Sequence, residues 1–210
     1  MLELFISAFI TLFVVIDPPG CAPIYAGLTS RASATQARTM AIRATLIASA
    51  ILVVFALFGE ALLSGLHIQL DSFRIAGGIM LFMIAIDMVF EKRTERREQR
   101  AEKIMSKPNE EPHEIEDISV FPMALPMIAG PGSIATVMLL MSRSQGTEQT
   151  LVVLAALACV MVLILLSLLA AGPLMRLVGA QAEAVISRLL GVLLAALAAQ
   201  YVIDGIKAQF

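Results

Sequence analysis

Two short stretches hold the residue types that could grip a solute inside an otherwise apolar chain. The first is Asp17-Pro18-Pro19-Gly20-Cys21-Ala22-Pro23; the second is Pro126-Met127-Ile128-Ala129-Gly130-Pro131-Gly132, followed by Ser133 and Thr136. Proline removes an N–H and clashes with the preceding turn, and glycine adds backbone freedom, so neither stretch continues a regular helix. A new half-helix begins after each break. Its first N–H groups lack intrahelical partners, and the positive end of its dipole faces the gap. Such an end suits a carboxylate. The candidate solute-binding residues are therefore Asp17, Pro19, Gly20, Gly130, Pro131, Gly132, Ser133 and Thr136: glycines for close backbone approach, hydroxyls for hydrogen bonds. Asp17 is the one acid at a break, with Ala129 as its counterpart. It either caps the freed N–H groups, the favoured reading, or carries a proton or sodium ion.

The surroundings of these breaks are set by composition. The chain has 210 residues, 59% of them hydrophobic, and a mean hydropathy of +0.87. A soluble domain of that apolarity could not cover its surface, so the chain reads as a polytopic membrane protein. In lipid, a broken helix is tolerated only where it faces protein or a water-filled cavity. Matched broken helices are a sequence pointer to a transporter's binding site. Cys21 and Cys159 lie in apolar segments without a CxxC partner and read as buried small hydrophobes. His67 and His113 have no ligand-spaced companion, so no metal or other cofactor is implied. The N-terminus lacks a basic n-region and a small-residue cleavage site, and reads as the first membrane helix.

Six spans are expected. They run over Leu4–Leu28, Ala41–Leu63, Phe73–Phe90, Ile118–Met141, Leu151–Ala171 and Ala184–Ile206, with the first and fourth broken. Ser33 is a candidate N-cap before span two, and Met175–Glu183 reads as loop. The one long hydrophilic segment, 91–117, carries Glu91, Glu95, Glu98 and Glu102 on one helical face beside a basic stripe, as a solvated extension of span three. Gly191, Ala195 and Ala199 form a small-residue packing seam.

The two halves match. Ile16–Gly20 superposes on Ile128–Gly132, and Arg74-Ile75-Ala76-Gly77 on Arg188-Leu189-Leu190-Gly191. The interval from Gly20 to Arg74 is 54 residues, and from Gly132 to Arg188 it is 56. With three spans per half, the second half must insert upside down. The expected fold is all-α: six transmembrane helices as two inverted three-helix repeats, 1–90 and 118–210, joined by the charged loop 91–117. Gly20 and Gly132 then fall near the midplane.

Charge sets the orientation. Arg31, Arg38, the seven basic residues of the long loop and Arg176 lie on one side, against Arg143 and Lys207 on the other. The basic side is expected to be cytoplasmic, which leaves both termini periplasmic or exterior. Between Arg74 and Asp87 lie twelve uncharged residues, and between Arg188 and Asp204 fifteen. Those stretches span only ~18 and ~22 Å of helix, too short for the hydrocarbon core. Spans three and six should run antiparallel, with Arg74 paired to Asp204 at the outer edge and Asp87 to Arg188 at the inner edge, as structural latches or ion-coupling groups. Snorkelling of both arginines to headgroups is the alternative.

These residues together resemble the MarC family of six-span membrane proteins, related to small neutral amino-acid transporters. The resemblance runs nearly end to end, outside Glu91–Glu116. It rests on Asp17-Pro18-x-Gly20-x-x-Pro23-x-Tyr25, Arg74-Ile75-Ala76-Gly77-Gly78, Pro122-x-x-x-Pro126-x-x-x-Gly130-Pro131-Gly132, and Arg188-x-x-Gly191 with Asp204-Gly205. It implies a bacterial inner-membrane carrier for glycine, alanine or similar solutes, driven by a proton or sodium gradient. The implied partners are the lipid bilayer and a small solute, with no nucleic acid; a homo-oligomer is compatible. A drug-efflux pocket would want aromatics, whereas the chain has no Trp and two Tyr. An intramembrane enzyme is disfavoured, since there is no His-Glu-x-x-His and Asp87 and Asp204 fall at opposite edges. A passive channel, an exporter of another small solute and a non-transport scaffold remain as rival readings.

Overall fold

The computed structural model describes residues 1–90 and 117–209, which form helices and short connections without a strand among them. The charged segment expected over 91–117, Asp117 excepted, lies outside the described residues. Eight helices follow in order: α1 (Leu2–Ile16), α2 (Pro18–Leu28), α3 (Ala34–Gly65), α4 (Leu70–Val89), α5 (Ser119–Ile128), α6 (Pro131–Ser142), α7 (Gly146–Leu169) and α8 (Ala171–Gln209). Among the described residues five stretches are long and apolar enough to cross a membrane, the first being α1 and α2 together. Counted as one span, α5 and α6, which bend by 52° at their junction, make a sixth.

Local chemistry accounts for most boundaries. Ser33 caps α3 in a capping box: the Gln36 N–H donates to Ser33 Oγ at 3.3 Å, and the Ser33 N–H donates to Gln36 Oε1 at 3.0 Å. Helix α5 is wound in the π manner, the Ala129 N–H reaching back to the Ala124 carbonyl at 2.9 Å. Phe121 and Leu125 leave helical geometry because each precedes a proline, whose ring pushes its predecessor to extended backbone. Both X-Pro bonds there are cis.

Three expectations need correction. Met175–Glu183, expected as loop, is continuous helix within α8. Its Ala, Leu, Met, Gln and Glu are strong helix formers, and hydropathy marks where a helix leaves lipid, not where it ends. Cys159, expected to be buried, is exposed on α7, whereas Cys21 is buried. The packing seam of α8 runs through Gly191, Leu194, Ala198 and Tyr201, with Ala199 on the exposed side.

The most extensive helix pair is α4 with α8, and it is antiparallel: Gly205 lies against Asp71 and Ile75, Gly78 against Ala198 and Val202, and Gly191 against Ala85 and Met88. In addition α1 packs on α6 and α7, α2 on α7 and α8, α3 on α5, α6 and α7, and α4 on α6. One buried cluster joins α1, α2, α3, α5, α6 and α7 around Leu12, Leu52, Ile128 and Leu157. A second joins α1, α4, α6 and α8 around Leu81, Leu139 and Tyr201.

Candidate functional site: two helix breaks and an ion-pair latch

The first break is one residue long. Asp17 ends α1 and starts α2 in the left-handed region (φ 61°, ψ 67°), a conformation that Asp tolerates because its short polar side chain can bond locally. Its N–H donates to the Phe13 carbonyl at 2.9 Å and closes α1. Its carboxylate accepts the Gly20 N–H at 3.1 Å and caps α2. Pro18 occupies the first helical position, where its missing N–H costs nothing. The Cys21 thiol donates to the Ile16 carbonyl at 3.6 Å. Gly20 is required sterically, since a Cβ there would stand 2.8 Å from the Asp17 Cγ.

The second break is built differently. Gly130 stands before α6 with extended backbone (φ −77°, ψ 170°) and no side-chain cap, so among the described residues no side chain caps α6 as Asp17 caps α2. A Cβ on Gly130 would press on the Pro126 carbonyl, which is why glycine serves here without any need for positive φ. Gly132 admits Ile84 of α4, and a Cβ there would stand 3.8 Å from Val15 Cγ1. Val15 is two residues before Asp17, so the two breaks lie side by side. Of the remaining candidates, Pro19 is half-buried, Pro131 is exposed, and Ser133 and Thr136 are buried. The Thr136 hydroxyl is occupied by the Gly132 carbonyl at 2.7 Å.

Helix α6 is seated by glycines on both flanks. A Cβ at Gly59 of α3 would be 2.7 Å from Met138 Cγ, and one at Gly77 of α4 would be 2.8 Å from Leu139 Cδ1. Its C-terminal end therefore has a fixed place, and Arg143 follows it directly. Arg143 Nη2 donates to Asp204 Oδ2 at 2.5 Å, and the guanidinium lies 4.3 Å from the ring centroid of the buried Tyr201. Gln200 Nε2 donates to the other Asp204 oxygen at 2.6 Å. Arg74 bonds Asp71 of its own helix at 2.9 Å. The expected Arg74–Asp204 pair is thus replaced: both residues stand at one end of the α4–α8 pair, but a partner three residues away costs less ordering than one across helices. Asp87 and Arg188 stand toward the other end, near the Gly191 contact, and neither is free of partners.

Sequence reasoning missed Arg143 and Asp71, and left Tyr201 unassigned between a cavity and an interface. Arg143 read as a loop charge, and only its position just past a glycine-seated helix marks it out. Truncating Arg143 or Asp204 to Ala should each destabilise the fold, with a coupling in the double variant of roughly 0.5–2 kcal/mol by thermal unfolding in detergent. Arg143→Lys should recover only part of it, because lysine keeps the charge but not the planar stack. Additive single effects would show that the pair is ornamental.

Comparison with known proteins gives the family to which the chain belongs. The family model described as MarC family integral membrane protein matches residues 2–210. A UPF0056 membrane protein of Methanocaldococcus jannaschii is 35% identical over 206 residues, covering 98% of this chain and 97% of that protein. One of Archaeoglobus fulgidus is 35% identical over 209 residues, covering 99% and 94%. The UPF0056 membrane protein YvbG of Bacillus subtilis is 32% identical over 210 residues, covering 100% and 97%. No solved structure matches. Relatives from archaea and bacteria, aligned over nearly their whole length, and a family model that spans both helix breaks place this chain among the MarC family of multi-pass integral membrane proteins.

Proposed function

We propose that this protein is a secondary transporter of small neutral amino acids, of the glycine and alanine class, that holds its solute between the two helix breaks. The observation that carries the reading is the contrast between them. Helix α2 has its N-terminus capped by Asp17, whereas α6 begins without a side-chain cap. A zwitterion fits that asymmetry: its carboxylate at the bare N-terminus of α6, its ammonium toward the Asp17 side. Small size follows from the glycines, which leave little room beyond the backbone.

The packing supports the inverted-repeat plan that alternating access requires. Exchange α1 with α5, α2 with α6, α3 with α7 and α4 with α8. The contact of α1 with α7 then becomes that of α5 with α3, and α2 with α7 and α8 becomes α6 with α3 and α4. The α3–α7 and α4–α8 contacts map onto themselves. The repeats are 1–90 and 118–210. The basic loops face the cytoplasm, the termini face outward, the membrane is the bacterial inner membrane, and a proton or sodium ion couples transport. On this reading the protein is a carrier and not an enzyme.

Alanine counterflow into proteoliposomes tests it. Exchange should saturate, and Gly132→Ala, whose Cβ would press only on the end of the Ile84 side chain, should weaken it in protein that still elutes as a single species. Flux that never saturates would favour a passive channel. A folded sample inactive with glycine, alanine and serine would remove the substrate class and bring an exporter of another solute or a membrane scaffold forward.

A further inference from the structure

Glu60 is an acid within a membrane-crossing helix that none of the preceding chemistry uses. It follows Gly59 on α3, the residue whose bare backbone lets Met138 of α6 come close. That approach brings the C-terminal end of α6 beside Glu60, and with the starts of α4 and α7 it borders an open cavity of about 240 Å³, at whose mouth Glu60 is exposed. The polar side chains lining the cavity are Glu60, Ser142, Ser144 and Thr150. Each hydroxyl has already committed its proton to a backbone carbonyl: Ser142 to Leu139 at 2.9 Å, Ser144 to Leu140 at 3.1 Å, and Thr150 to Gly146 at 3.2 Å. What they offer the cavity is lone pairs. The Glu60 carboxylate likewise only accepts, and among the described residues no cation or donor pairs with it. Arg143, the cation nearest in sequence to this wall, is held by Asp204. The negative end of the α6 dipole adds to the same sign.

A carboxylate placed in a membrane span is costly unless something compensates it. We infer that this cavity is a binding site for a small monovalent cation, a sodium ion or a primary ammonium group, held by Glu60 and by the Ser142, Ser144 and Thr150 oxygens. Oxygen-only coordination suits a hard cation, and the cavity leaves room for part of its hydration shell. The site is separate from the helix breaks, and its occupancy can be measured whether or not the protein transports.

The chain contains no tryptophan, so Leu57→Trp, at an exposed position on the cavity rim, supplies a single reporter. Purified protein would be titrated with sodium chloride against choline chloride at constant ionic strength, then with methylammonium and alanine in choline. A saturable fluorescence change with sodium alone identifies the ion, and one with methylammonium and alanine identifies the ammonium group. Either response should weaken at least tenfold in Glu60→Gln and partly recover in Glu60→Asp. Radiolabelled sodium and methylammonium binding to the unsubstituted protein and to Glu60→Gln guards against a silent reporter and is independent of alanine held at the helix breaks. Absence of saturable binding in both assays, or binding that Glu60→Gln leaves intact, would overturn the site. Binding that persists when alanine counterflow fails would leave the site standing and remove only the transport reading.

Discussion

Gly20→Ala should destabilise the protein by roughly 2–3 kcal/mol, yet cost nothing in a protein that already carries Asp17→Ala. The reason lies in three atoms. The Asp17 carboxylate reaches the Gly20 N–H at 3.1 Å only by lying across the space a Cβ would fill. An added methyl displaces the carboxylate, leaves the first turn of α2 without its cap, and strands a buried acid; loss of such a cap alone costs about 0.5–2 kcal/mol. Once Asp17 is alanine the obstruction is gone, and alanine in place of helical glycine becomes favourable by up to ~1 kcal/mol. The sign of the Gly20 effect should therefore change between the two backgrounds. Thermal unfolding of the four proteins in one detergent reads it, and simple additivity would refute the cap as the reason for this glycine. Asp17→Asn completes the test. Asparagine tolerates left-handed backbone and can accept the same N–H, so stability and exchange should survive if capping is its whole role. Loss of exchange, or of its dependence on pH or sodium, in a stable Asn variant would show that the charge itself is needed.

Gly78→Val should prevent α4 and α8 from packing and leave little folded protein to purify. A Cβ at Gly78 would stand 2.9 Å from the Ala198 carbonyl oxygen and 3.0 Å from the Val202 nitrogen. Backbone atoms cannot rotate aside as a side chain does, so the helices must separate. In lipid there is little hydrophobic drive to hold them, and close backbone approach is what holds such a pair. The cluster of Leu81, Ala85, Met88, Leu194, Ala198 and Tyr201 would open with it. Overpacking alone costs about 1–3 kcal/mol, and the lost contacts of the opened cluster add to it. Gly78→Ala should be an intermediate case. Gly65→Ala is the matched control, because nothing lies within 4 Å of its Cβ position and it should be neutral or mildly stabilising. The measurement is the yield of monodisperse protein and its unfolding temperature; a Gly78→Val protein as stable as the control would show that the α4–α8 pair has slack.

What could be read from the chain alone was what acts within a few residues or through solvent. The membrane character follows from hydropathy summed over each run. The interruption at Asp17 follows from prolines and a glycine that cannot continue a helix whatever surrounds them, and Ser33 reads as an N-cap, to which the structure adds the return bond from Gln36. The antiparallel arrangement of α4 and α8 agrees with what was expected of spans three and six. The pairing of charges was a different matter. Arg74, Asp71, Arg143 and Asp204 gather at one end of the bundle, and hydropathy cannot rank their combinations. The seat of α6 between Gly59 and Gly77 decides it by bringing Arg143 to Asp204 and Tyr201. The same seat shapes the Glu60 cavity, from residues on four helices that run from Phe55 to Thr150 in the chain. Register between packed helices was equally hidden: Ala198, not Ala199, faces Gly78, because a single residue turns a helix by about 100° and only the fit of one surface against another selects among such choices.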